Sequence, residues 1–231
     1  NEGVEYSMLL KYGLIGSSGK MGKEVIDFFT EKGHEMVYSM DINGETMTAE
    51  PDILIDFSLA SAFEKTIETA YRLKKPLIMG TTGLTKQNMK DLKKLSKQIP
   101  VIYSTNFSIG IQLMICMAEF MKKNTDEWDI GISEIHHRFK KDKPSGTANT
   151  LCQALGGGIE INSQRLGNIA GEHTVSFASL GEVITITHRA LSRRTFAEGV
   201  LQSAYFLIGK PSGMYTFRQV IVGEGNGNGQ L

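Results

Sequence analysis

Residues 9–22 read LLKYGLIGSSGKMG, a short apolar run that breaks into glycines spaced Gly-x-x-Gly-x-x-Gly. Apolar residues then recur at helical spacing as far as Gly33, a natural helix end, and a second apolar run ends in Asp41. The order is strand, glycine turn, helix, and strand with an acidic end. In that arrangement a pyrophosphate binds at the helix N-terminus, and an acid about 20 residues on binds the adenosine ribose. The segment therefore predicts a dinucleotide site.

Two features of this segment bear on the cofactor. The glycine spacing is one residue longer than the common Gly-x-Gly-x-x-Gly, so a purely structural turn is the alternative. A carboxylate at Asp41 repels a 2′-phosphate and Ile42 offers no arginine to bind one, which favours NADH over NADPH. Lys11 or Lys20 could still contact such a phosphate.

Alternating strand and helix patterns continue to residue 103 and predict a doubly wound, Rossmann-type parallel sheet. Ligands of such sheets lie at the carboxyl ends of the strands. Beyond Asp41 the expected ends are Phe57-Ser58, residues 80–83 and residues 104–107, all small, polar or glycine-rich apart from their phenylalanines. Ser58 is also expected to cap the helix that follows it.

Bulk composition excludes several classes of protein. Formal net charge is zero, with 25 basic and 25 acidic side chains, which argues against a general nucleic-acid binder. No apolar run approaches the ~20 residues of a membrane span, and the first residues lack the basic region of a signal peptide. Met8 is expected to be the natural start, with residues 1–7 as a leader. Cys116 and Cys152 lie in apolar helical patterns and are expected to be buried thiols, as in a reducing cytoplasm.

After Phe107 the pattern changes. A long apolar helix over residues 109–121 and a strand over 128–135 precede strand-like runs at 159–161, 164–166, 174–178 and 183–188. Consecutive strands without helices predict a mostly antiparallel sheet, and so a second, α+β domain. A final helix is expected over residues 196–208, and the glycine- and asparagine-rich residues 223–231 are expected to be a flexible tail without function.

Residues 134–148 read EIHHRFKKDKPSGTA and combine two histidines, an arginine and three lysines with a Pro-Ser-Gly-Thr helix start. A helix N-terminus offers free N–H groups and a partial positive charge, so Ser145, Gly146 and Thr147 are candidate donors to a carboxylate. Imidazoles and cations beside an anion site suggest proton chemistry on a small acid. The alternative is a solvated basic loop.

His136 and His137 would point to opposite sides of an extended strand, and no third ligand has suitable spacing. A metal site is therefore not expected, and two hydrogen-bonded structural histidines are the alternative. Arg138 is expected to bind substrate or to form a salt bridge with Glu134 or Asp142. Solvated, surface or structural roles are expected for Lys141, Lys143, His34, His173 and His188.

Over residues 9–222 the chain resembles the dihydrodipicolinate reductase family. The most specific part of the resemblance is the segment from His136 to Thr147, and the glycine turn with its Gly-x-Met-Gly ending agrees with it. The other matching stretches are Asp56-Phe57-Ser58, residues 80–83, residues 106–110, Arg165-x-Gly167, Gly171-Glu172-His173, Ser192-Arg193 and Thr195-Phe196-Ala197.

The resemblance implies an NAD(P)H-dependent reduction of a cyclic, unsaturated dicarboxylic acid to tetrahydrodipicolinate, in the bacterial diaminopimelate and lysine pathway. It also implies a cytoplasmic homotetramer assembled through the sheet of the second domain, with no nucleic-acid or membrane partner. In this family the last helix returns to the cofactor domain. The dinucleotide-binding domain is therefore expected over residues 8–106 and 195–222, and the substrate-binding and oligomerisation domain over residues 107–194.

The functional residues of the family carry over onto matching positions. His136 corresponds to the proposed acid/base residue and Lys140 to the proton donor. A cation there would stabilise negative charge that builds up mainly in the transition state, after hydride adds to a conjugated C=C–C=N system. The substrate ligands correspond to His137, Gly146 and Thr147, and the helix-start argument adds Ser145 as a candidate substrate ligand. The cofactor contacts correspond to Gly16, Ser17, Ser18, Gly19, Lys20, Met21, Asp41, Gly80, Thr81, Thr82, Ser104, Thr105, Asn106 and Phe107.

The chain departs from the family pattern at Phe139, where members often have a third histidine, and at Ile42, where many have arginine. The first change leaves the other site residues in place, and the second weakens an NADPH preference. Segments 43–51 and 156–164 are short for the family. Two other functions stay open: a dehydrogenase of a different small dicarboxylic or imino acid on this fold, and a non-catalytic NAD(H)-sensing module.

Overall fold

The computed structural model describes residues 8–223 of the chain. The described part divides into two compact units: one runs to Phe107 and resumes at Phe196, and the other comprises Ser108–Thr195. The expected leader and all of the expected tail except Gly223 lie outside the described residues. Within residues 8–223, no helix is long and apolar enough to cross a membrane.

The secondary structure alternates strand and helix in the first half of the chain and becomes strand-rich later. The strands are β1 (Lys11–Ile15), β2 (Glu35–Asp41), β3 (Gly44–Met47), β4 (Ile53–Asp56), β5 (Leu77–Met79), β6 (Pro100–Tyr103), β7 (Asp129–His136), β8 (Ile161–Arg165), β9 (Glu172–Ala178), β10 (Val183–Arg189) and β11 (Gly213–Tyr215). The helices are α1 (Lys20–Glu31), α2 (Phe63–Leu73), α3 (Lys86–Leu95), α4 (Ile109–Asn124), α5 (Gly146–Ala154), α6 (Arg194–Leu207) and α7 (Phe217–Val222).

The first unit is built on a seven-stranded sheet with the order β11-β6-β5-β4-β1-β2-β3. All neighbouring strands are parallel except β2 and β3. The predicted Rossmann-type parallel sheet is confirmed. The sequence pattern did not predict β3, whose four residues are all exposed, or β11, which has three residues. Neither strand carries the apolar run or alternation by which strands are recognised.

The central strands of this sheet are covered on both faces. Every residue of β4 and β5 is buried, which is why both strands read as continuous apolar runs in the sequence. Phe63 of α2 and Leu92 and Leu95 of α3 belong to the same core as Leu54 and Leu77 of these strands. Because apolar packing fills the strand interiors, polar groups of this sheet are concentrated at the strand ends.

Helix α2 does not begin at Ser58. A 3₁₀ turn at Ala60–Ala62 comes first, and Ala62 directly precedes the helix. The Ser58 N–H instead donates to the Asp56 carboxylate at 2.7 Å. The prediction that Ser58 caps the helix was wrong, because the chain makes one further turn before α2 starts.

The second unit contains a four-stranded sheet with the order β10-β9-β7-β8. Strand β9 is antiparallel to both β7 and β10, and β8 is parallel to β7, so the predicted mostly antiparallel sheet is confirmed. The two strands expected at 159–161 and 164–166 are a single strand, β8. Met114 of α4 and Leu151 of α5 share a core with Ile132, Val175 and Phe177 of the sheet.

The opposite face of this second sheet carries paired hydroxyl groups. Thr174 and Thr187 are joined by a hydrogen bond of 3.1 Å, and Ser176 and Thr185 by one of 3.2 Å. Strand alternation places these residues on the other side from the buried Val175. Within the described residues, one face of the sheet is packed against helices and the other is polar.

Helix α6 packs closely against Phe107, the last residue of the first segment of the first unit. This close packing predicts a strict requirement for glycine at position 199. A Cβ added there would overlap the carbonyl oxygen of Phe107 and lie 2.8 Å from Cζ of Phe217. Overpacking costs about 1–3 kcal/mol, and a backbone carbonyl cannot turn away as a side chain can. Alanine gains only ~1 kcal/mol in helix propensity. The overlap with a backbone atom places the cost at the upper end of this range, so we expect Gly199→Ala to lower the free energy of unfolding by a net ~2 kcal/mol in urea titrations.

Gly131→Ala is the matched control, because no atom lies within 4 Å of a Cβ built at that strand position. Its free energy of unfolding should stay within about 0.5 kcal/mol of the wild type. Equal stability of Gly199→Ala and the wild type would contradict the close packing of α6 on Phe107.

Candidate active site

Backbone packing around the turn between β1 and α1 excludes side chains at Gly16 and Gly22. Gly16 has a φ of +83°, and a Cβ there would lie 2.8 Å from backbone atoms of Phe57 and Ser58. A Cβ on Gly22 would overlap the carbonyl oxygen of Gly16. Among the described residues, no side chain caps the start of α1 and no acid lies in its first turn. The first N–H groups of α1 are therefore available to an anion such as a pyrophosphate.

Asp41 lies at the carboxyl end of β2, beside this turn. Its carboxylate accepts the Asn43 N–H at 2.7 Å and the Ser17 hydroxyl at 3.1 Å. The Asn43 N–H, more than the Ser17 hydroxyl, holds the pKa of Asp41 below its usual range. The structure thus brings the glycine turn and an ionised acid together. Ile42, the next residue, is 94% exposed.

A buried carboxyl group, Asp56, links the ends of β4 and β5. Its Oδ1 accepts the Ser58 N–H at 2.7 Å and the Thr81 hydroxyl at 3.2 Å, and its Oδ2 has no partner among the described residues. Burial raises the pKa of Asp56, and the hydrogen bonds oppose this only in part. The Gly80 N–H donates to the Asp56 carbonyl at 2.8 Å, whereas Thr82 is exposed. Gly80 and Thr81 are therefore held at this edge by Asp56.

The residues after β6 form a closed turn. The Ser104 hydroxyl donates to the Asn106 carbonyl at 2.6 Å and accepts the Asn106 N–H at 3.2 Å, and Thr105 is exposed. Phe107 is 2% exposed, with its ring 5.2 Å from that of Phe217. The Phe107 side chain belongs to the core of the first unit, so only its backbone remains for the predicted cofactor contact.

In the second unit, β7 and its neighbours bring ionisable side chains onto one face of the sheet. Glu134 and His136 are two residues apart on β7 and so point the same way. His173 on β9 lies opposite Glu134, and Arg165 on β8 lies opposite His136. Glu134, His136 and His173 are 1%, 8% and 4% exposed. We call these four residues the Glu134 cluster.

The carboxylate of Glu134 is the centre of this cluster. Oε2 accepts Nη1 of Arg165 at 2.9 Å and a short hydrogen bond from Nδ1 of His136, and Oε1 accepts the Ser145 N–H at 3.3 Å. Burial acts to raise the pKa of Glu134, but the bonds from Arg165 and His136 outweigh it and lower the pKa to about 2. Because an ionised carboxylate only accepts hydrogen bonds, Nδ1 of His136 carries a proton.

Both histidines of the cluster are uncharged at neutral pH. Burial lowers the pKa of His136, and Glu134 compensates only in part. Burial, and after it the charge of His136, lowers the pKa of His173 to about 3. The two rings meet edge to face with centroids 5.0 Å apart. His173 is therefore a neutral neighbour packed against His136.

The start of α5 is tied to the cluster by Ser145. The Ser145 hydroxyl caps the helix by accepting the Ala148 N–H at 3.2 Å, and it lies 3.2 Å from Nε2 of His173. Its N–H is given to Glu134. Gly146 and Thr147, the other predicted carboxylate donors, are the first residues of α5. The N–H groups of the first turn of a helix point outward from its N-terminus and have no partner within the helix. Ser145 fixes the helix end that these two residues form.

The predicted proton donor lies on the loop between β7 and α5. Nζ of Lys140 pairs with Oδ1 of Asp142 at 2.9 Å, and the Lys140 N–H donates to the His137 carbonyl at 3.0 Å. Burial acts to raise the pKa of Asp142, but Lys140 and, to a smaller extent, the Gly146 N–H lower it below its usual range. The structure brings Lys140, His137 and the helix start together on one short loop.

Arg138 does not make the salt bridge expected for it. Glu134 and Asp142 are paired instead with Arg165 and Lys140. The Arg138 N–H donates to the Gly167 carbonyl at 3.1 Å. The salt-bridge prediction was wrong because it matched charges by nearness in sequence, whereas β8 brings Arg165 in from outside the segment.

Sequence reasoning missed the role of Arg165 in the cluster, and for His173 it expected a structural or surface role without naming its partners. The available signal was strand alternation, which places Glu134 and His136 on one face, but their partners depend on the pairing of β7 with β8 and β9. The other histidines make structural contacts. His34 bonds the Leu10 N–H and the Tyr205 hydroxyl, and His188 lies 3.2 Å from the Ser108 hydroxyl. In residues 8–223, no group of His, Cys, Asp and Glu is arranged to hold a metal.

We expect His173→Gln to make the protein less sensitive to mild acid. The unfolded chain protonates this residue near pH 6.5, whereas the folded protein does so only at about 3, so the folded state binds fewer protons in between. Stability is therefore lost as pH falls below 6.5, and this group alone accounts for about 2 kcal/mol between pH 7 and pH 5.

The measurement is the free energy of unfolding in urea, for the wild type and for His173→Gln, at pH 7 and at pH 5. In the wild type the pKa of His173 also responds to neighbouring charges. It is lowered by those of His136, His188 and Lys140 and raised by that of Glu134. The variant should lose less stability than the wild type between the two pH values. Equal losses would contradict a buried, uncharged His173.

The chain matches two family models that together span both units. "Dihydrodipicolinate reductase, N-terminus" matches residues 10–107, and "Dihydrodipicolinate reductase, C-terminus" matches residues 110–221. A 4-hydroxy-tetrahydrodipicolinate reductase from Thermosipho africanus is 44% identical, over 92% of this chain and 98% of its own. One from Zymomonas mobilis is 35% identical, over 92% of this chain and 97% of its own.

A solved structure shares the fold. Dihydrodipicolinate reductase from Paenisporosarcina sp. TG-14, with dipicolinate bound, superposes with a TM-score of 0.77 at 22% identity, covering 90% of this chain and 98% of that one. The family models, the sequence identities and the shared fold agree. The chain belongs to the dihydrodipicolinate reductase family.

Proposed function

We propose that the protein is a 4-hydroxy-tetrahydrodipicolinate reductase, which uses NAD(P)H to reduce this cyclic dicarboxylic acid to tetrahydrodipicolinate in lysine biosynthesis through diaminopimelate. The observation that carries the proposal is 44% sequence identity, over 98% of its length, to a relative named for this activity. The open helix start at the glycine turn and the cation-rich loop before α5 supply what the reaction needs: an anion site for a dinucleotide, and proton donors near an anion site for the substrate.

The first unit is the proposed dinucleotide-binding domain, over residues 8–106 and 195–222. The glycine turn fits a pyrophosphate, because no side chain caps the start of α1 and its N–H groups are left for an anion. Gly16 and Gly22 allow the close backbone packing that forms this turn. When bound, the nicotinamide supplies a hydride. The proposed contacts are Gly16, Ser17, Ser18, Gly19, Lys20, Met21, Asp41, Gly80, Thr81, Thr82, Ser104, Thr105, Asn106 and Phe107.

NADH is the proposed cofactor in preference to NADPH. The ionised carboxylate of Asp41 can accept hydrogen bonds from a ribose diol and repels a 2′-phosphate. The exposed Ile42 gives that phosphate no charged partner. Lys20, exposed at the start of α1, is the nearest cation along the turn that could weaken this preference.

The second unit is the proposed substrate-binding domain, over residues 107–194. Lys140 is the proposed proton donor and His136 the acid/base residue, while His137, Gly146 and Thr147 form the proposed substrate site. Ser145, a predicted member of this site, is buried and gives its N–H to Glu134, so it fixes the helix start and leaves contact with substrate to its neighbours. Lys140 pairs with Asp142 in this structure. A partly exposed ion pair of this kind contributes only about 0–1 kcal/mol, so a substrate carboxylate can displace Asp142 without a large penalty.

The same unit is proposed to assemble a homotetramer through its sheet. The hydroxyl-lined face of β9 and β10 lies opposite the face that packs against helices, and β10 adds Val183 to it, which is 63% exposed. An open sheet face of this kind can pair with the same face of a second copy. A cytoplasmic location is proposed from family membership and from the two free cysteines, Cys116 and Cys152.

A turnover assay tests the function. The purified protein receives 4-hydroxy-tetrahydrodipicolinate, made in place by the upstream synthase, together with NADH or NADPH, and cofactor oxidation is followed by absorbance. Oxidation that requires this substrate supports the proposal. Oxidation only with another imino or keto acid would identify a different dehydrogenase, and cofactor binding without any turnover would identify a sensing module.

Replacement of Lys140 tests its role as proton donor. We expect Lys140→Ala to lose about 10²–10⁴-fold in kcat, the usual contribution of general acid help, and to keep its affinity for NADH. Steady-state kinetics and NADH titration measure the two quantities. Lys141→Ala removes a neighbouring exposed lysine and should keep kcat. Near-normal turnover of Lys140→Ala would exclude Lys140 as the acid.

Replacement of Ile42 tests the basis of cofactor preference. The side chain is almost fully exposed, so Ile42→Arg should fold normally and offer a bidentate donor to a 2′-phosphate. We expect kcat/KM for NADPH to rise relative to NADH by about tenfold, the equivalent of 1.4 kcal/mol. Ile42→Ala should leave the ratio unchanged. An unchanged ratio in Ile42→Arg would mean that position 42 lies away from the ribose.

A further inference from the structure

The Glu134 cluster fixes which nitrogen of His136 is protonated. Nδ1 donates to the Glu134 carboxylate, which is held in turn by Arg165 and by the Ser145 N–H. A neutral imidazole carries one proton, so with Nδ1 protonated the other nitrogen, Nε2, has a lone pair. In the described part of the chain, Nε2 has no hydrogen-bond partner and is not among the buried unpartnered atoms.

The chain also keeps space beside Nε2. A Cβ added to Gly171 would lie 3.0 Å from Nε2 and 3.3 Å from Cδ2 of His136. Gly171 is not among the residues with positive φ, so its backbone conformation does not call for glycine. The space next to the imidazole is the physical reason for glycine at this position.

We propose that Glu134 is a positioning residue that holds His136 as the Nδ1–H tautomer, so that His136 accepts a hydrogen bond at Nε2, with Gly171 keeping that nitrogen accessible. This inference rests on the proposed function. It gives the two residues different roles: Lys140 donates the proton that follows hydride addition, and neutral His136 orients the substrate by accepting a hydrogen bond. Arg165 acts one step further away, by holding Glu134 ionised and oriented.

Several charges act on the titration of His136. Glu134 on the same strand favours its protonated form, while Lys140 on the following loop and Arg165 on β8 oppose it. His173 on β9 is uncharged at working pH and contributes packing. Removing the negative charge of Glu134 should therefore make His136 harder to protonate, and it should stay neutral to lower pH.

The test compares Glu134→Gln with the wild type in the reductase assay across pH. We expect kcat to fall on the order of 10- to 100-fold, the size of effect seen when the partner that orients a metal-binding histidine is removed. KM should change little, because the side-chain oxygen of the glutamine can still accept the Ser145 N–H that fixes the helix start. The acidic limb of kcat/KM should move to lower pH. Dipicolinate affinity, measured by calorimetry, should stay near the wild-type value.

Two further variants decide the matter if Glu134→Gln fails to fold. Glu134→Asp keeps the charge, so its acidic limb should stay near that of the wild type while kcat is partly lost. Gly171→Ala places a methyl group against Nε2 and should lower kcat/KM without moving the limb. Glu172→Gln is the matched control: it breaks a carboxylate–arginine pair with Arg189 in the same sheet, on the face opposite His173.

The outcomes separate the two proposals. Absence of turnover in the wild type would refute the function, whereas the positioning role is judged from ratios of variant to wild type. Near wild-type kcat with an unmoved limb in Glu134→Gln, or full activity in Gly171→Ala, would overturn the inference. Movement of the alkaline limb instead would show that His136 donates a proton, and this would also overturn it.

Discussion

The buried carboxylate of Glu134 is the interaction on which the second unit depends. A charge removed from water costs several kcal/mol unless it is paired and hydrogen-bonded, and Glu134 is 1% exposed. Its partners come from three different places: Arg165 from β8, His136 from β7, and the Ser145 N–H from the start of α5. Satisfying this one group therefore requires a particular strand register and a particular helix start at the same time.

The contacts of Glu134 also hold both ends of the loop that carries the proposed catalytic residues. It begins at His136 and ends at Ser145, and both residues bond to Glu134. Lys140 lies between these fixed points, and Gly146 follows immediately after them. Functional groups are most effective when surrounding contacts hold them in place. A single buried carboxylate thus supports both the proposed proton donor and the proposed carboxylate site, although it belongs to neither.

The features that could be predicted from the sequence are those set by residues close together in the chain. The first unit was predictable because its signals are local: an apolar strand, a glycine turn, a helix, and an acid at the next strand end. The edge strand β3 was not predictable, since its residues are exposed. In the second unit the loop residues were identified as candidates, but Arg138 was the only arginine considered as a partner of Glu134, as an alternative to binding substrate or Asp142. The actual partner is 31 positions away and is set by strand pairing.

The protonation of His136 is the point at which the account is most directly tested. Protein labelled at histidine with a heavy nitrogen isotope gives the chemical shifts of both ring nitrogens by heteronuclear NMR, assigned against a variant that lacks His136. At neutral pH we expect a protonated Nδ1 and an unprotonated Nε2. A proton on Nε2 with a bare Nδ1, or a ring protonated at both nitrogens, would contradict it.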